Sequence, residues 1–151
     1  LEKDSTFNGS WPLYALGFHH IKPVNFVSFF NAIANGGKMV SLKSQDSSAI
    51  VVDSMIAEKK NIESMKKAFR FYVTNGLGKK AESKMVNVAG TSGTIHTDDG
   101  IYADFCGYFP VEKPKYTVFV SYKRPEIPVS GGGMAGQTFR KIAEQIMKTC
   151  K

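Results

Sequence analysis

The sequence predicts an α+β domain, a three-stranded antiparallel meander carrying amphipathic helices. Three observations lead there. Residues 86–97, 102–109 and 116–122 are rich in β-branched and aromatic side chains, and short polar turns separate them. Upstream and downstream of that region, apolar residues recur at three- and four-residue spacing, the period of a helix buried on one side. Consecutive strands joined by short turns must run antiparallel, so the helices are expected to pack on a sheet face.

Taken in order, residues 1–22 read as irregular, with Asn8-Gly9 and Trp11-Pro12 as turn signals. A helix follows Pro23, with Phe26, Phe29, Phe30, Ile33 and Ala34 forming its buried face. Asn35-Gly36-Gly37 stops it as a left-handed C-cap does. Met39 to Leu42 is expected to be extended, and the polar residues 43–49 to form a loop. A second helix places Ile62, Met65, Ala68, Phe69, Tyr72 and Val73 on one face and ends at Asn75-Gly76. The strands Val86 to Thr97, Tyr102 to Phe109 and Tyr116 to Tyr122 come next. Asp98-Asp99-Gly100 and Glu112-Lys113-Pro114-Lys115 supply their hairpin turns. After Gly131-Gly132-Gly133, a last helix carries Phe139, Ile142, Ala143, Ile146 and Met147 at helical spacing. No internal repeat is visible.

Composition narrows the class. The 151 residues are 42% hydrophobic and 22% charged, the profile of a chain with a globular core. No stretch approaches the roughly 18–20 apolar residues that span a bilayer, and no signal-peptide pattern is present. The first residue is Leu1, so the chain is expected to be a piece of a longer protein. Twenty basic and thirteen acidic residues give +7, much of it in the pairs Lys59-Lys60, Lys66-Lys67 and Lys79-Lys80. Without zinc-finger, RNA-recognition or helix-turn-helix spacing, this charge reads as a solvated face, and no nucleic-acid partner is expected. Cys106 and Cys150 are too few for a disulfide framework; Cys106, in an apolar stretch, reads as a small buried hydrophobe and Cys150 as a mobile end. His19-His20 has no third ligand at metal spacing, so no metal or cofactor is expected.

The most informative stretch is Val88-Ala89-Gly90-Thr91-Ser92-Gly93-Thr94. It resembles the Lys-Thr/Ser-Gly-Thr signature of penicillin-binding transpeptidases, which lies on an edge-facing strand of their active site. The surroundings keep that family's order. PVNFVSFFNAIANGG (23–37) is similar to its helix ending in Ala-Asn-Gly-Gly, and FYVTNGLGKKA (71–81) to the helix end and turn before the signature strand. FCGYFPVEKPKY (105–116) resembles its Gly-Tyr-Phe-Pro hairpin, and GGGMAGQTFRKIAE (131–144) its final glycine loop and helix. The likeness covers roughly residues 13–148. Serine β-lactamases share the signature logic, but the hairpin and the long helix–loop approach favour the transpeptidase.

The resemblance implies an incomplete penicillin-binding (serine β-lactamase-like) transpeptidase domain over residues 1–151, of the class B, cell-division type. Such enzymes acylate a serine with the D-Ala-D-Ala end of a peptidoglycan stem peptide and pass the acyl group to an amine; β-lactams imitate that substrate. The substrate-binding positions carried over are Thr91, Ser92, Gly93 and Thr94. An edge strand lets an extended peptide add alongside it. The hydroxyls of Ser92 and Thr94 suit a terminal carboxylate, and Gly93 leaves room for close approach. The Thr94 backbone N–H matches one of two oxyanion-hole donors, each worth on the order of 3 kcal/mol.

Two departures stand out. Thr91 replaces the family's basic residue, removing a fixed positive charge. The family's Ser-x-x-Lys and Ser-x-Asn signatures lie upstream of the matched region, so the chain is expected to lack the nucleophile. Its one literal Ser-x-x-Lys, Ser64 to Lys67, falls inside the second helix in a basic run, where lysine desolvation is not expected. His96 reads as a surface hairpin residue, Asp98-Asp99 as turn residues, and Ser130 to Gly133 as a flexible connector, since no Gly-Lys-Ser/Thr follows.

The sequence therefore points to the C-terminal part of a peptidoglycan D,D-transpeptidase, at the extracytoplasmic face of a parent anchored in the membrane. A non-catalytic relative that binds stem peptide or a cell-division partner is the alternative, and Thr91 favours it. Self-association through the open sheet edge and the last helix is also expected. On this basis the chain alone forms no covalent adduct with a fluorescent penicillin on denaturing electrophoresis. A labelled band abolished by Ser64→Ala would overturn that expectation.

Overall fold

The computed structural model describes residues 22–42, 50–124 and 130–150. The expectations for residues 1–21 and 43–49 lie outside these. Helix α1 spans Pro23–Ala34, with the proline in its first turn, where its missing N–H and fixed φ do no harm. Gly36 (φ 71°) and Gly37 (φ 102°) end it in the left-handed region, and the Gly37 N–H returns to the Ala32 carbonyl at 2.8 Å. The buried line runs through Phe30, Ile33 and Ala34, with Phe26 half-buried. Phe29, expected inside, lies off that line and is exposed, while the unanticipated Ala32 is buried.

Met39–Val40 (β1) pairs antiparallel with Val51–Asp53 (β2), a strand too short to show alternation in the sequence. Helix α2 (Lys59–Thr74) buries Ile62, Phe69 and Val73. Met65 and Ala68, expected on the same face, are exposed. Lys66 takes the fourth place on the buried line, and its ammonium reaches Glu63 at 3.3 Å, so its alkyl stem covers surface while its charge stays wet.

A 3₁₀ turn at Lys79–Ala81 leads to the meander: β3 (Ala89–Thr97), β4 (Gly100–Phe109) and β5 (Tyr116–Arg124), in that spatial order. The first strand starts later than the expected Val86. Thr97 faces Gly100 across a turn made by Asp98 and Asp99, and Gly100 has φ 134°. Asp99 accepts from Lys123 on β5, which holds its carboxyl down at about 2, and the Thr97 hydroxyl adds to that effect.

Both faces of the sheet are covered. On one, Val88, Phe105, Phe109 and Val120 meet α3 (Gly136–Thr149), and Phe139 lies 4.9 Å from Phe105 and 5.7 Å from Phe109 between ring centres. Each such ring contributes about 1.5–3 kcal/mol by burial. Ile142, Ile146 and Met147 pack half-buried against the same layer, so the stripe on α3 is covered within the chain. On the other face, Ala89, Cys106 and Tyr108 meet Phe30, Ile33, Ile62 and Phe69, with Phe30 stacked on Phe69 at 4.6 Å. Helix α2 serves both layers, Phe69 in one and Val73 in the other.

Cys106 and Tyr108 carry a pH consequence. Burial pushes the Cys106 thiol from 9.0 up to about 12 and the Tyr108 phenol from 10.0 up to about 12. Their folded values exceed the unfolded ones, so their contribution is complete below the unfolded values and is lost as pH rises toward the folded ones. The urea midpoint is expected to fall from about pH 9 to about pH 11, and Cys106→Val to flatten the first part, where the thiol alone titrates. A midpoint independent of pH across that range would contradict the burial of both groups.

Candidate functional site

Strand β3 is at the edge of the sheet, with β4 as its one partner among the described residues. Its first half is flanked by α2: Arg70 donates to the Val88 carbonyl at 2.9 Å and makes a two-pronged pair with Glu82 at 2.6 and 2.9 Å. Planar guanidinium against carboxylate is the stronger kind of ion pair, and here it ties α2 to the 3₁₀ turn and the entrance of the strand. From Gly93 to Thr97 the strand is exposed.

Strand alternation sends Ser92 and Thr94 to one face and Thr91 and Gly93 to the other. The two hydroxyls are held. The Ser92 Oγ lies 2.5 Å from the Tyr72 hydroxyl of α2, and the Thr94 Oγ1 accepts from the Gly131 N–H at 3.1 Å. Thr94, accepting there, keeps its proton to donate. Ser92 keeps its own when Tyr72 is the donor. Two neighbouring O–H donors on an exposed edge form a place for an anionic oxygen.

Ser130 and the glycines build the other wall. Residues Gly131–Ala135 form a wide π turn that runs into α3, and the Ser130 Oγ accepts from the Gly133 N–H at 2.7 Å. Gly131 and Gly132 are buried, so the expected flexible connector is a packed helix start. A Cβ on Gly131 would fall on the carbonyl oxygens of Gly93 and Asp104, and one on Gly132 on the carbonyl of Leu77. Gly93, by contrast, has nothing within 4 Å of where its Cβ would be: that side is open.

Asp104 faces Gly93 in the ladder, on the Thr91 side. Its Oδ1 is buried without a partner, and burial raises its pKa, with the Ser121 hydroxyl opposing. Thr91, half-buried across from Cys106, supplies no charge to that side. The other sequence candidates lie apart from these groups. The Ser64 hydroxyl donates to the Lys60 carbonyl within α2 on its exposed face. His96 is exposed near the hairpin, and His19-His20 lies outside the described residues. No group of three metal-ligating side chains occurs among the described residues. The sequence missed Tyr72 and Gly131 as parts of the site. Tyr72 sits at core spacing on α2, and nothing local marks which carbonyl or hydroxyl a glycine turn will meet.

Comparison places the chain among known proteins. The family model for the penicillin binding protein transpeptidase domain matches residues 2–148. The chain is similar to the transpeptidase domain of the FtsI4 D,D-transpeptidase of Legionella pneumophila, at 28% identity and a TM-score of 0.68, over 84% of this chain and 47% of that one. A peptidoglycan glycosyltransferase of Burkholderia ambifaria matches at 21% identity and a TM-score of 0.71, over 86% of this chain and 41% of that one. The TP domain of Burkholderia pseudomallei penicillin-binding protein 3 matches at 20% and 0.68, over 83% of this chain and 41% of that one. These last two likenesses concern the fold alone. The chain spans less than half the length of each of the three structures. None of the curated proteins compared matches it.

The glycine contacts separate scaffold from site. Gly131→Ala is expected to cost about 1–3 kcal/mol in urea unfolding, since backbone must move to admit the methyl group. Gly93→Ala is expected to leave stability within about 0.5 kcal/mol, because its surroundings are open. Equal losses at the two positions would show that the turn does not seat as closely as described.

Proposed function

The chain belongs to the penicillin-binding protein transpeptidase family, and from that premise we propose that it forms the substrate-binding strand of a peptidoglycan D,D-transpeptidase. The observation that carries this reading is the pair of held hydroxyls, Ser92 and Thr94, on the exposed edge beside Gly93. The donor stem peptide lies along β3 as an added strand. Its terminal carboxylate accepts from the Ser92 and Thr94 hydroxyls, and the Thr94 N–H faces the oxygen that becomes negative during acylation. A β-lactam, with its own carboxylate and strained acyl group, occupies the same place. The reaction takes place outside the cytoplasmic membrane, where peptidoglycan is built.

The nucleophile comes from outside this sequence. No Ser-x-Asn occurs in it, and its one Ser-x-x-Lys is the exposed Ser64–Lys67 of α2. This chain is one wall of the site, inert alone. A second reading is a relative that binds stem peptide, or a cell-division partner, without turning it over. Thr91 favours it, because a lysine there would attract the carboxylate and assist proton transfer.

The test is acylation of the complete protein by a fluorescent penicillin. Thr94→Val is expected to slow it about ten- to a hundredfold, the worth of one charge-assisted hydrogen bond of roughly 1.5–3 kcal/mol. Unchanged acylation removes β3 from the site. Thr91→Lys is expected to raise the rate, and absence of any acylation before or after that change favours the binding relative.

A further inference from the structure

The chain's charge is unevenly placed. Residues 58–85 hold eight Lys and Arg against three Glu, a net +5 of the chain's +7. Three of the eight, Lys59, Lys60 and Lys67, are exposed on α2, and Lys79, Lys80 and Lys84 are exposed in the segment after it. Lys60, Ser64, Lys67 and Phe71 follow at spacings of four, three and four, which line up on one side of a helix, and all four are exposed. Lys60 pairs with Glu58 and Lys66 with Glu63. Lys59, Lys67, Lys79, Lys80 and Lys84 make no ion pair among the described residues.

Large apolar side chains stand within this basic ground. Phe71 is 64% exposed and Leu77, in the turn that follows the helix, is 83% exposed. The packing of the described residues has no need of them there, since α2 already buries Ile62, Phe69 and Val73 on its inner side. Exposed aromatic and aliphatic groups among unpaired lysines suit contact with an anion that has apolar parts. The surface also borders the edge strand. Tyr72, next to Phe71, reaches Ser92, and the Leu77 carbonyl lies against Gly132.

We propose that the outward face of α2 and the turn after it dock the anionic glycopeptide polymer on which the proposed transpeptidase acts. The lysines face the carboxylates of its stem peptides, and Phe71 and Leu77 lie against its sugar rings and alkyl groups. The identity of the polymer rests on the proposed function; the surface itself does not. Charge complementarity selects this occupant, because each repeat carries several carboxylates together with apolar sugar faces. A chain held there keeps stem peptides at high local concentration beside β3.

Co-sedimentation of this chain with purified, insoluble peptidoglycan tests the proposal. Retention is expected at low salt and loss at high salt, since the charges are exposed and screened. The triple variant Lys67→Glu, Lys79→Glu, Lys80→Glu is expected to weaken retention by about tenfold or more. Phe71→Ser with Leu77→Ser is expected to weaken it at low salt. Ser92→Ala with Thr94→Val is expected to weaken it less than the lysine variant does, which separates this surface from the reaction site. Loss in that last variant but not in the lysine variant would place the retention at β3 and overturn the docking surface. So would absence of retention, or equal retention on phosphatidylglycerol vesicles. If acylation proves indifferent to Thr94 while retention still depends on the lysines, the docking surface stands and the proposed reaction falls.

Discussion

The arrangement depends on one close approach. The turn at Gly131 sits directly on the backbone of β3 and β4, where any Cβ would meet the carbonyls of Gly93 and Asp104. That contact fixes where α3 begins, and the start of α3 fixes Phe139 between Phe105 and Phe109. The same contact puts the Gly131 N–H on the Thr94 hydroxyl. Core and site thus share a single steric requirement, and only glycine satisfies it without moving backbone.

On the proposed function, the edge strand is a compromise between two needs. An edge with unpaired backbone groups invites unwanted pairing, yet a peptide substrate requires such an edge. Here the first half of β3 is anchored by Arg70 and flanked by α2, and only the stretch from Gly93 onward is exposed. The hydroxyls are held by Tyr72 of α2 and by the glycine turn at Gly131. Their placement therefore does not depend on Thr91, which points to the opposite face. Loss of the family's positive charge at that position alters the local field and leaves the scaffold of the strand in place.

Much of this was legible in the sequence, for physical reasons that can be named. The change from helical to alternating period, the Asp98-Asp99-Gly100 turn and the Asn35-Gly36-Gly37 stop are local signals, and the meander and helix ends follow from them. The errors are where packing decides between neighbours on a helix. Phe29 and Ala68 fit the apolar period as well as Phe30 and Phe69 do, and only the direction of approach of the sheet sets them apart. Gly131 to Gly133 read as a connector because a run of glycines locally signals freedom. Their packing is imposed by β3, distant in sequence. The hydroxyl pair on β3 was visible in the motif, but Tyr72 and Gly131, the groups that hold Ser92 and Thr94, were not.

The span between Thr94 and Gly131 is 37 residues, and it encloses the whole hairpin run of β4 and β5. Pairing of adjacent strands needs only short loops, so the meander can form early, whereas bringing the glycine turn back to β3 must close this longer one. The hydroxyl cluster is therefore not completed by pairing of adjacent strands alone. A chain caught before that step has its sheet but not its oriented donors. Presentation of the donor pair at this strand thus depends on a contact that spans the whole meander.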